Sequence, residues 1–562
     1  MRRTTAASLM EPLRVVLGAR MRLTDAVRRL DAHRTVMAPV VISGAPVGIL
    51  TRRDAEHAMR MGGGALTAGE MTCGGAPKVS GGAGLPEMNR LSQGVAPGLI
   101  VSGPGRVVEG MVSRRRLSQI SGAAGRNGRD LRQTLVRLMS VPHVRLLRRA
   151  GALAVERGVC LHLAGGVVRD VLMGRTPRDL DLVVEGDGIA FASRLSQELG
   201  GKLTRHERFG TAVIHVGPVT TDFPAGLRID VATARQEAYA HPAALPLVEP
   251  GTIVDDILRR DVTINSMTIR LDGRRFGILV DAAGGQRDLR RHVLQVLHRM
   301  SLVDDPTRAF RIARFAARFG FAQTEDTKSS LNIARQLGAF QRLGGERLQR
   351  ELVLIASEPA PWTVWGQCAA MGLLSEIGPA LRWHPETRRH MERLFRGIRE
   401  EKPGMDLAEV DRPLVMLMLL ARGASPASRR ELAARLKLSG GRAARLEQSG
   451  QQLRALTRIL SRGADAGRVA RCCEEAAPEM LALTWAMGGP AASAIGWYLR
   501  ELRNIRPTLT GAALREMGLP AGPRYAAVLA RLRAALLNRG IRTVDEERAL
   551  AIRLVRRMSR ER

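Results

Sequence analysis

Residues 159–185 read VCLHLAGGVVRDVLMGRTPRDLDLVVE, and this stretch decides how the middle of the chain folds. An apolar run, Val159–Leu163, predicts a strand that ends at the paired glycines Gly165 and Gly166. A short helix follows, and a second strand begins at Asp179. A strand, a glycine turn, a helix and another strand in 27 residues predict an α/β unit whose turn binds phosphate.

The polar residues of this stretch suit a nucleotide and a metal ion. Arg169, one turn into the helix, can add a charge-assisted contact to a phosphate. Asp179 and Asp181 are two apart on a strand, so both carboxylates are expected on the same face, where hard oxygen ligands suit Mg²⁺. A lone pair of strand acids is usually a solvated strand end. Together with the glycine turn, the pair predicts a catalytic metal site at Asp179 and Asp181.

Composition narrows the class of protein. The chain has 562 residues, 45% of them hydrophobic and 25% charged, which excludes a wholly disordered chain. Lys+Arg exceed Asp+Glu by 87 to 54, a net charge of +33 that favours a polyanionic partner such as RNA, although a coding bias toward Arg gives the same excess. No apolar run is long enough to span a membrane. The five cysteines form no C-x-x-C pair and predict reduced thiols in a cytoplasmic protein.

Three later segments add acids and arginines at regular intervals. The segment RRDVTINSM begins at Arg259, and its two arginines suit a triphosphate or a ribose. The segment DAAGGQRDL begins at Asp281 and predicts a structural turn. The segment DDPTRAFRIARF begins at Asp304 and predicts a helix starting at Pro306, with an acid and a guanidinium that can read the edge of a base.

These motifs together resemble the class II tRNA nucleotidyltransferase and bacterial poly(A) polymerase family, over residues 145–350 well and more weakly beyond. The resemblance implies a Mg²⁺-dependent enzyme with these site residues: the metal ligands Asp179 and Asp181; the nucleotide-binding residues Gly165, Gly166, Arg169 and Arg260; the base-selecting Asp305 and Arg308; and Arg311 and Arg314, which complete the base pocket. The family usually has Glu at the position of Asp304 and Phe at that of Leu302. For Asp230 a third carboxylate and a structural role stay open, with the structural role favoured.

The first 120 residues look like one strand–helix unit built twice and resemble a pair of CBS domains, which often bind adenosine nucleotides. Thr51 and Asp54 match the family's ribose-binding residues. The second copy keeps Ser113 but has Arg116 in place of the acid, so the sequence does not decide whether this copy forms a ribose site. A pair that binds nothing is the alternative. Relatives with CBS domains usually carry a DHH phosphoesterase as well. This sequence has no Asp-His-His, so that activity is expected to be absent.

The resemblance implies an α+β multidomain fold. Its parts are a CBS pair (α/β) over 1–125, a linker over 126–145, a DNA polymerase beta-like head with a mixed sheet over 146–270, an all-α neck over 271–350, a helical body over 351–500, and a basic tail over 501–562 that resembles the family's tRNA-binding tail.

The resemblance therefore implies a template-independent enzyme that adds A or CCA to the tRNA 3′ end from ATP, or from ATP and CTP, and releases pyrophosphate. Two alternatives stay open: a poly(A) polymerase acting on RNA generally, and an inactive nucleotide-sensing RNA-binding protein. Whether A, CC or CCA is added, and whether the CBS pair forms a homodimer, is not decided by the sequence.

Overall fold

The computed structural model describes residues 4–75, 77–103, 107–120, 128–177, 180–216, 226–399, 410–461, 463–518, 522 and 524–560. The chain divides into two compact units, Met1–Leu343 and Gly344–Arg562. Asp179, one of the two predicted metal ligands, lies outside the described residues.

The first unit opens with a strand–helix arrangement that occurs twice, here called the N-terminal repeat (residues 4–120). Its strands form two sheets, in the orders β2-β3-β4 and β1-β7-β6-β5. In each sheet a parallel pair (β2 with β3, β5 with β6) is followed by an antiparallel pair (β3 with β4, β6 with β7). The assignment of this repeat to a CBS pair stays a prediction. The elements are α1 (Ala6–Leu9), β1 (Glu11–Pro12), β2 (Leu17–Gly18), α2 (Leu23–Ala32), β3 (Met37–Ile42), β4 (Ala45–Thr51), α3 (Arg52–Arg60), α4 (Ala68–Met71), β5 (Lys78–Ser80), α5 (Leu85–Leu91), β6 (Gly98–Ser102), β7 (Val108–Ser113) and α6 (Arg114–Ile120).

The head is built on a seven-stranded sheet in the order β10-β11-β12-β9-β8-β15-β16. Only β12 and β9 pair in parallel, and the other neighbours are antiparallel, which confirms the predicted mixed sheet. The elements are α7 (Arg132–Leu138), α8 (Val141–Glu156), β8 (Cys160–Ala164), α9 (Gly166–Leu172), β9 (Leu180–Glu185), α10 (Gly188–Glu198), β10 (Lys202–His206), β11 (Thr211–His215), β12 (Arg228–Thr233), β13 (Arg235–Ala238), β14 (Leu247–Pro250), α11 (Ile253–Leu258), β15 (Thr268–Arg270) and β16 (Leu279–Val280).

Two boundaries differ from the prediction. Part of the expected linker forms α7 and the start of α8, because Leu131, Leu135 and Val144 are buried in the hydrophobic core of the head. The head also extends beyond residue 270, because β16 pairs with β15 at the edge of the sheet. Apolar side chains placed at helical spacing bind α7 and α8 to the sheet, and this stabilisation is absent from a free linker.

The helices that follow carry the predicted base-selecting segment. Pro306 precedes α14, whose N-terminus the sequence placed there, and Gly320 ends the helix with a positive φ of 71°. The elements are α12 (Gly285–Arg290), β17 (Val293–Leu294), α13 (Ser301–Asp304), α14 (Thr307–Phe319), β18 (Ala322–Gln323), α15 (Glu325–Gln336) and α16 (Ala339–Arg342). The neck is helical except for the strand pair β17–β18.

The N-terminal repeat is bonded to the head and neck through backbone groups. The amide of Gly74 donates to Asp326 Oδ2 at 2.8 Å. Arg287 Nη1 donates to the Gln93 carbonyl at 2.5 Å, and Arg114 Nη1 donates to the Ala282 carbonyl at 3.3 Å. These bonds join segments about 170 to 250 residues apart in the chain, consistent with one compact unit.

The second unit is helical throughout its described residues. One of its apolar helices, α21, buries every residue from Leu414 to Leu420. The elements are α17 (Gly345–Ala356), α18 (Pro361–Ala370), α19 (Leu373–Ile377), α20 (Pro385–Arg399), α21 (Arg412–Leu420), α22 (Pro426–Arg435), α23 (Gly440–Leu460), α24 (Ala466–Glu475), α25 (Pro478–Met487), α26 (Gly489–Arg500), α27 (Gly511–Glu516), α28 (Arg524–Leu537) and α29 (Val544–Arg560).

Two general findings bear on the class of protein. Across the described parts of both units, no helix has the length and apolar character needed to cross a membrane. All five cysteines are free, including the adjacent Cys472 and Cys473.

Candidate active site

The glycine turn is the centre of the site. Strand β8 ends at Ala164, and Gly165 then takes φ 78° and ψ −139° before α9 begins at Gly166. A side chain is strained in that conformation. A Cβ on Gly165 would also lie 3.1 Å from Arg260 Nη1 and 3.3 Å from Asp181 Oδ2. The turn therefore brings together three predicted site residues, two from the 159–185 stretch and Arg260 from a later segment, and a side chain at Gly165 would crowd both Arg260 and Asp181.

Asp181 lies on β9, next to β8 in the sheet, and is half-buried. Its parallel neighbour on β12 is Asp230, in direct register. Residues opposite each other on neighbouring strands point to the same face of a sheet, so the two acids lie on one face. Asp230 accepts two hydrogen bonds from Arg228, at 3.0 and 2.8 Å, and both of its roles, third carboxylate and structural residue, stay open.

The carboxylate beside the glycine turn fits a hard divalent cation. Asp181 Oδ2 lies 3.3 Å from the position that a Cβ on Gly165 would take, and oxygen ligands of this kind are the ones that Mg²⁺ prefers. The described residues contain no group of three or more His, Cys, Asp and Glu placed to hold a metal. The predicted pairing of Asp179 with Asp181 on one face stays a prediction.

Arg260 is oriented by a buried acid that the sequence analysis did not single out. Asp256, which is completely buried, accepts hydrogen bonds from Arg260 Nε at 3.1 Å and Nη2 at 2.7 Å through Oδ2. Its Oδ1 accepts from Arg259 Nε at 3.0 Å. Burial raises the pKa of Asp256, but the two guanidinium groups lower it by a larger amount, so the net pKa lies below the usual value. The acid fixes Arg260 with Nη1 directed at Gly165.

Arg169 is buried beside the same turn. Its Nη1 donates to Asn265 Oδ1 at 2.7 Å, and its Nε donates to Asp170 Oδ1 at 2.9 Å. The guanidinium lies 4.7 Å from the ring centre of Phe319 on α14. This cation–π contact and the two hydrogen bonds hold Arg169 in one orientation next to Gly166, so the predicted phosphate contact is preorganised.

A second buried acid connects the head to α14. Asp261 Oδ2 accepts from Arg311 Nε at 2.8 Å, and Oδ1 accepts from the Asn265 amide at 3.2 Å. Burial raises the pKa of Asp261, but Arg311 and the other donors lower it to a net value below normal. Through Asn265, the network reaches Arg169 and therefore links Arg311 to the glycine turn.

The remaining predicted base-selecting residues are hydrogen-bonded within the protein. Arg308 is buried, donating from Nη1 to Ser301 Oγ at 2.8 Å and from Nη2 to the Arg259 carbonyl at 2.7 Å. Asp305 Oδ1 accepts from the Thr307 amide at 3.0 Å. Arg308 and Arg311 therefore contact different parts of the head, and Arg314 is half-buried on the same helix. The roles of these residues in base selection stay predictions.

The turn predicted at Asp281 is structural. Its carboxylate accepts from the Gly285 amide at 2.7 Å and the Gln286 amide at 2.9 Å, so it caps α12. Asp288 is buried and accepts from the Thr263 hydroxyl at 2.8 Å. These bonds join both acids to α12 and its neighbours and not to the glycine turn, in line with the structural turn expected from the sequence.

Comparison with known proteins agrees with this geometry. The sequence profile of the Poly A polymerase head domain matches residues 161–295. A protein of Geobacter sulfurreducens named "A-adding tRNA nucleotidyltransferase" is 31% identical over 98% of this chain, and the chain spans 64% of that protein's length. A solved structure titled "The structure of CCA-adding enzyme apo form II" is 32% identical to this chain and superposes on it with a TM-score of 0.65. The match covers 75% of this chain and 97% of the solved chain.

The chain belongs to the tRNA nucleotidyltransferase family. A further member, the Thermotoga maritima structure titled as a CCA-adding enzyme complexed with tRNA_CCA, is 29% identical, with 76% of this chain and 99% of that chain covered and a TM-score of 0.63. The N-terminal repeat precedes the matched head profile.

Three residues that bond to the predicted site arginines were not among the residues predicted from the sequence: Asp256, Asp261 and Asn265. Asp261 and Asn265 lie inside the quoted RRDVTINSM segment, and their order relative to the two arginines was the only available signal. Nothing in the sequence marked Asp256 as a site residue, because an acid one turn before an arginine pair is also typical of an exposed helix. Its role depends on complete burial, which arises only when α11 packs against the sheet.

Proposed function

We propose that this protein adds A, or the whole CCA, to the 3′ end of tRNA, using ATP, or ATP and CTP, and releasing pyrophosphate. The observation that carries the proposal is the meeting of Gly165, Asp181 and Arg260 at one turn. A carboxylate and a guanidinium beside a glycine turn suit a triphosphate whose α-phosphate is attacked. The relatives' names support tRNA as the acceptor, and the A-adding name of the Geobacter sulfurreducens protein supports A.

In the proposed reaction the 3′-hydroxyl of the RNA attacks the α-phosphate, and the bond to pyrophosphate breaks. The backbone at Gly165–Gly166 and the guanidinium of Arg260 hold the triphosphate. Arg169 adds a fixed positive charge beside the turn. Asp179 and Asp181 would hold Mg²⁺, which, when bound, lowers the pKa of the attacking hydroxyl and neutralises charge on the leaving group.

Base choice in the proposal belongs to Asp305 and Arg308, with Arg311 and Arg314 beside them. Acceptor and donor groups on a protein helix can take the place of a template because they match the edge of one base. The basic tail over 501–562, with 14 Arg against 6 acids, would contact the tRNA through its phosphates.

For the N-terminal repeat we propose a CBS pair that binds an adenosine nucleotide through Thr51 and Asp54 and supports a homodimer. The Thr51 hydroxyl donates to Asp54 Oδ2 at 2.5 Å, so the two predicted ribose-binding groups lie together at the start of α3. We place the protein in the cytoplasm, in line with its free cysteines.

The test is incorporation of labelled ATP and CTP by the purified full-length protein with Mg²⁺. The acceptors are tRNA transcripts ending before the first C, after CC, and after a complete CCA, together with an unrelated RNA. We expect A on the CC-ended transcript and none on the complete one. Labelling of the unrelated RNA equal to that of the CC-ended tRNA would instead favour a general poly(A) polymerase, the alternative that the head-domain match keeps open.

Asp181→Asn tests the source of the activity. We expect incorporation to fall about a thousandfold, because a metal-binding carboxylate supplies several kcal/mol of transition-state stabilisation. Asp187→Asn is the control, since Asp187 follows the other end of β9 and caps α10 through the amides of Ile189 and Ala190. Equal activity of the two variants would refute the site, and an inactive wild type would favour the nucleotide-sensing alternative.

A further inference from the structure

Glu237, an acid outside the predicted site, is the centre of a hydrogen-bonded group beside it. Glu237 lies on β13, and only 5% of its side chain is exposed. Its Oε1 accepts hydrogen bonds from Arg235 Nη2 at 3.0 Å and from Arg259 Nη1 at 2.9 Å. Its Oε2 accepts from the Tyr239 hydroxyl at 2.7 Å. Both carboxylate oxygens are therefore used, as expected for a charge that is removed from water.

Arg259 connects this group to the glycine turn. Its Nη1 bonds to Glu237, and its Nε donates to Asp256 Oδ1 at 3.0 Å. The other oxygen of Asp256 accepts from Arg260 Nη2 at 2.7 Å. Arg259 is therefore a brace between two buried acids, and Arg260, whose Nη1 lies beside Gly165, is held in the same network.

Arg308 is bonded to the same group from the neck. Its Nη2 donates to the Arg259 carbonyl at 2.7 Å and to the Tyr239 oxygen at 3.4 Å. Each member of the group therefore bonds to the next, and the four residues close a ring: Glu237, Arg259, Arg308 and Tyr239. Burial raises the pKa of Tyr239, so its hydroxyl stays protonated at neutral pH. The hydroxyl can then donate to Glu237 while its oxygen accepts from Arg308.

The ring is anchored on two sides. Arg235, which bonds to Glu237, also donates from Nη1 to the Phe209 carbonyl at 2.7 Å, in the connection between β10 and β11. On the side of the neck, Arg308 Nη1 donates to Ser301 Oγ at 2.8 Å. The placement of Arg308 relative to the head therefore depends on one carboxylate that acts through Arg259 and Tyr239.

We propose that Glu237, together with Tyr239, is a positioning residue for the choice of nucleotide. Arg260 is expected to hold the triphosphate and Arg308 to read the base, so the geometry between these two arginines decides which base fits. A hydrogen bond to the edge of a base weakens steeply when its donor is displaced, and discrimination between bases depends on such bonds. The proposal rests on the proposed function, since Arg308 selects a base only if the site transfers nucleotides.

The first test is Tyr239→Phe, which keeps the ring and removes the hydroxyl between Glu237 and Arg308. Selectivity is measured with the full-length protein and a CC-ended tRNA, as kcat/KM for ATP divided by kcat/KM for CTP. We expect this ratio to fall about tenfold, the cost of one hydrogen bond, through KM, with kcat for ATP within about threefold of the wild type. Tyr498→Phe is the matched control: Tyr498 is half-buried on α26 in the second unit, and this variant should keep the wild-type ratio.

The second test changes the acid itself. Glu237→Gln keeps the shape of the side chain but removes the charge that Arg235 and Arg259 share, and we expect selectivity to fall at least as far as in the first variant. Glu249→Gln is the control. Glu249 is exposed on the partner strand β14 and accepts from Gln236 Nε2 at 3.1 Å, on the other face of the hairpin. This variant should keep the wild-type ratio.

The double variant Tyr239→Phe/Glu237→Gln separates one shared route from two independent effects. If both residues act along one route to Arg308, the double variant should lose no more selectivity than Glu237→Gln alone. Losses that multiply would show that each residue acts separately and would overturn the proposal. An equal fall in kcat/KM for ATP and for CTP would overturn it as well, because a residue that only stabilises the fold lowers both alike.

Equilibrium binding gives a readout that needs no turnover. ATP and CTP are titrated into the full-length protein bound to a CC-ended tRNA that lacks its 3′-hydroxyl, so no transfer occurs. We expect the ratio of the two Kd values to fall in Tyr239→Phe and Glu237→Gln together with the kinetic ratio. Unchanged ratios in active variants would overturn the role of Glu237 and leave the proposed function standing. A wild type that extends no tRNA would refute the proposed function, and this proposal with it.

Discussion

Gly165→Ala should separate the chemistry of the glycine turn from its folding. The new Cβ would lie 3.1 Å from Arg260 Nη1 and 3.3 Å from Asp181 Oδ2, so both groups must move by a few tenths of an ångström. The φ of 78° with ψ −139° adds backbone strain of about 1–3 kcal/mol. If this strain is relieved only by opening the turn, about 3 kcal/mol of transition-state stabilisation is lost, which corresponds to roughly a hundredfold in kcat/KM.

The matched control is Gly174→Ala, at the turn that follows α9. Gly174 also has a positive φ, 70°, but a Cβ there would meet nothing within 4 Å. Both variants should lower the unfolding temperature of the first unit by a few degrees, about 2–4 °C for each kcal/mol of strain. Only Gly165→Ala should lose activity, measured as labelled ATP incorporated into a CC-ended tRNA. Values of kcat/KM within threefold of each other would refute the argument that a side chain at Gly165 displaces Arg260 and Asp181.

The remaining predictions concern the two buried acids and the metal. Asp256→Asn should destabilise the head by about 3–5 kcal/mol, measured by denaturant unfolding, because Arg259 and Arg260 lose their shared carboxylate; unchanged stability would contradict the role of the pair. The folded-state pKa of Asp256 lies below its usual value of 3.8, so its contribution to the free energy of unfolding is present above pH 4 and is lost as the pH falls through the folded pKa. Below pH 4 the variant should therefore lose less stability than the wild type. Arg311→Ala should raise the KM for ATP about tenfold, with Arg318→Ala, on the exposed side of α14, as control, and equal KM values in both variants would exclude a role for Arg311. Removal of divalent cations with a chelator should stop nucleotide incorporation and Mg²⁺ should restore it, whereas incorporation that continues in the chelator would contradict a metal at Asp181.

The sequence predicted those parts of the site that depend on local order along the chain. The strand β8, the glycine turn, Arg169 and the start of α14 follow from apolar runs, glycine and proline, which act within a few residues. The mixed sheet was also predicted, through resemblance to a family. Arg260 was placed at the site from its motif, and the structure brings its Nη1 to Gly165.

What the sequence did not predict depends on contacts between distant segments. The hydrogen bond from Asn265 to Asp261 and the pairing of Asp261 with Arg311 require α14 to pack against the head. The helices in the expected linker require the core of the head to be present. The spacing of Arg308 and Arg311 by three suggested a shared surface, yet the buried Arg308 bonds to Ser301 and the Arg259 carbonyl, whereas the half-buried Arg311 bonds to Asp261.

The bonds between the N-terminal repeat and the rest of the first unit bear on how such a protein can be divided or recombined. Cutting the chain near residue 128 would leave Asp326 without the Gly74 amide, and would expose apolar side chains such as Leu297 that line a cavity between the repeat and the neck. A head prepared by truncation is therefore a poor reference for the full chain. Chimeras between relatives should inherit the repeat and the neck from the same parent, because these two segments fit each other as a matched pair.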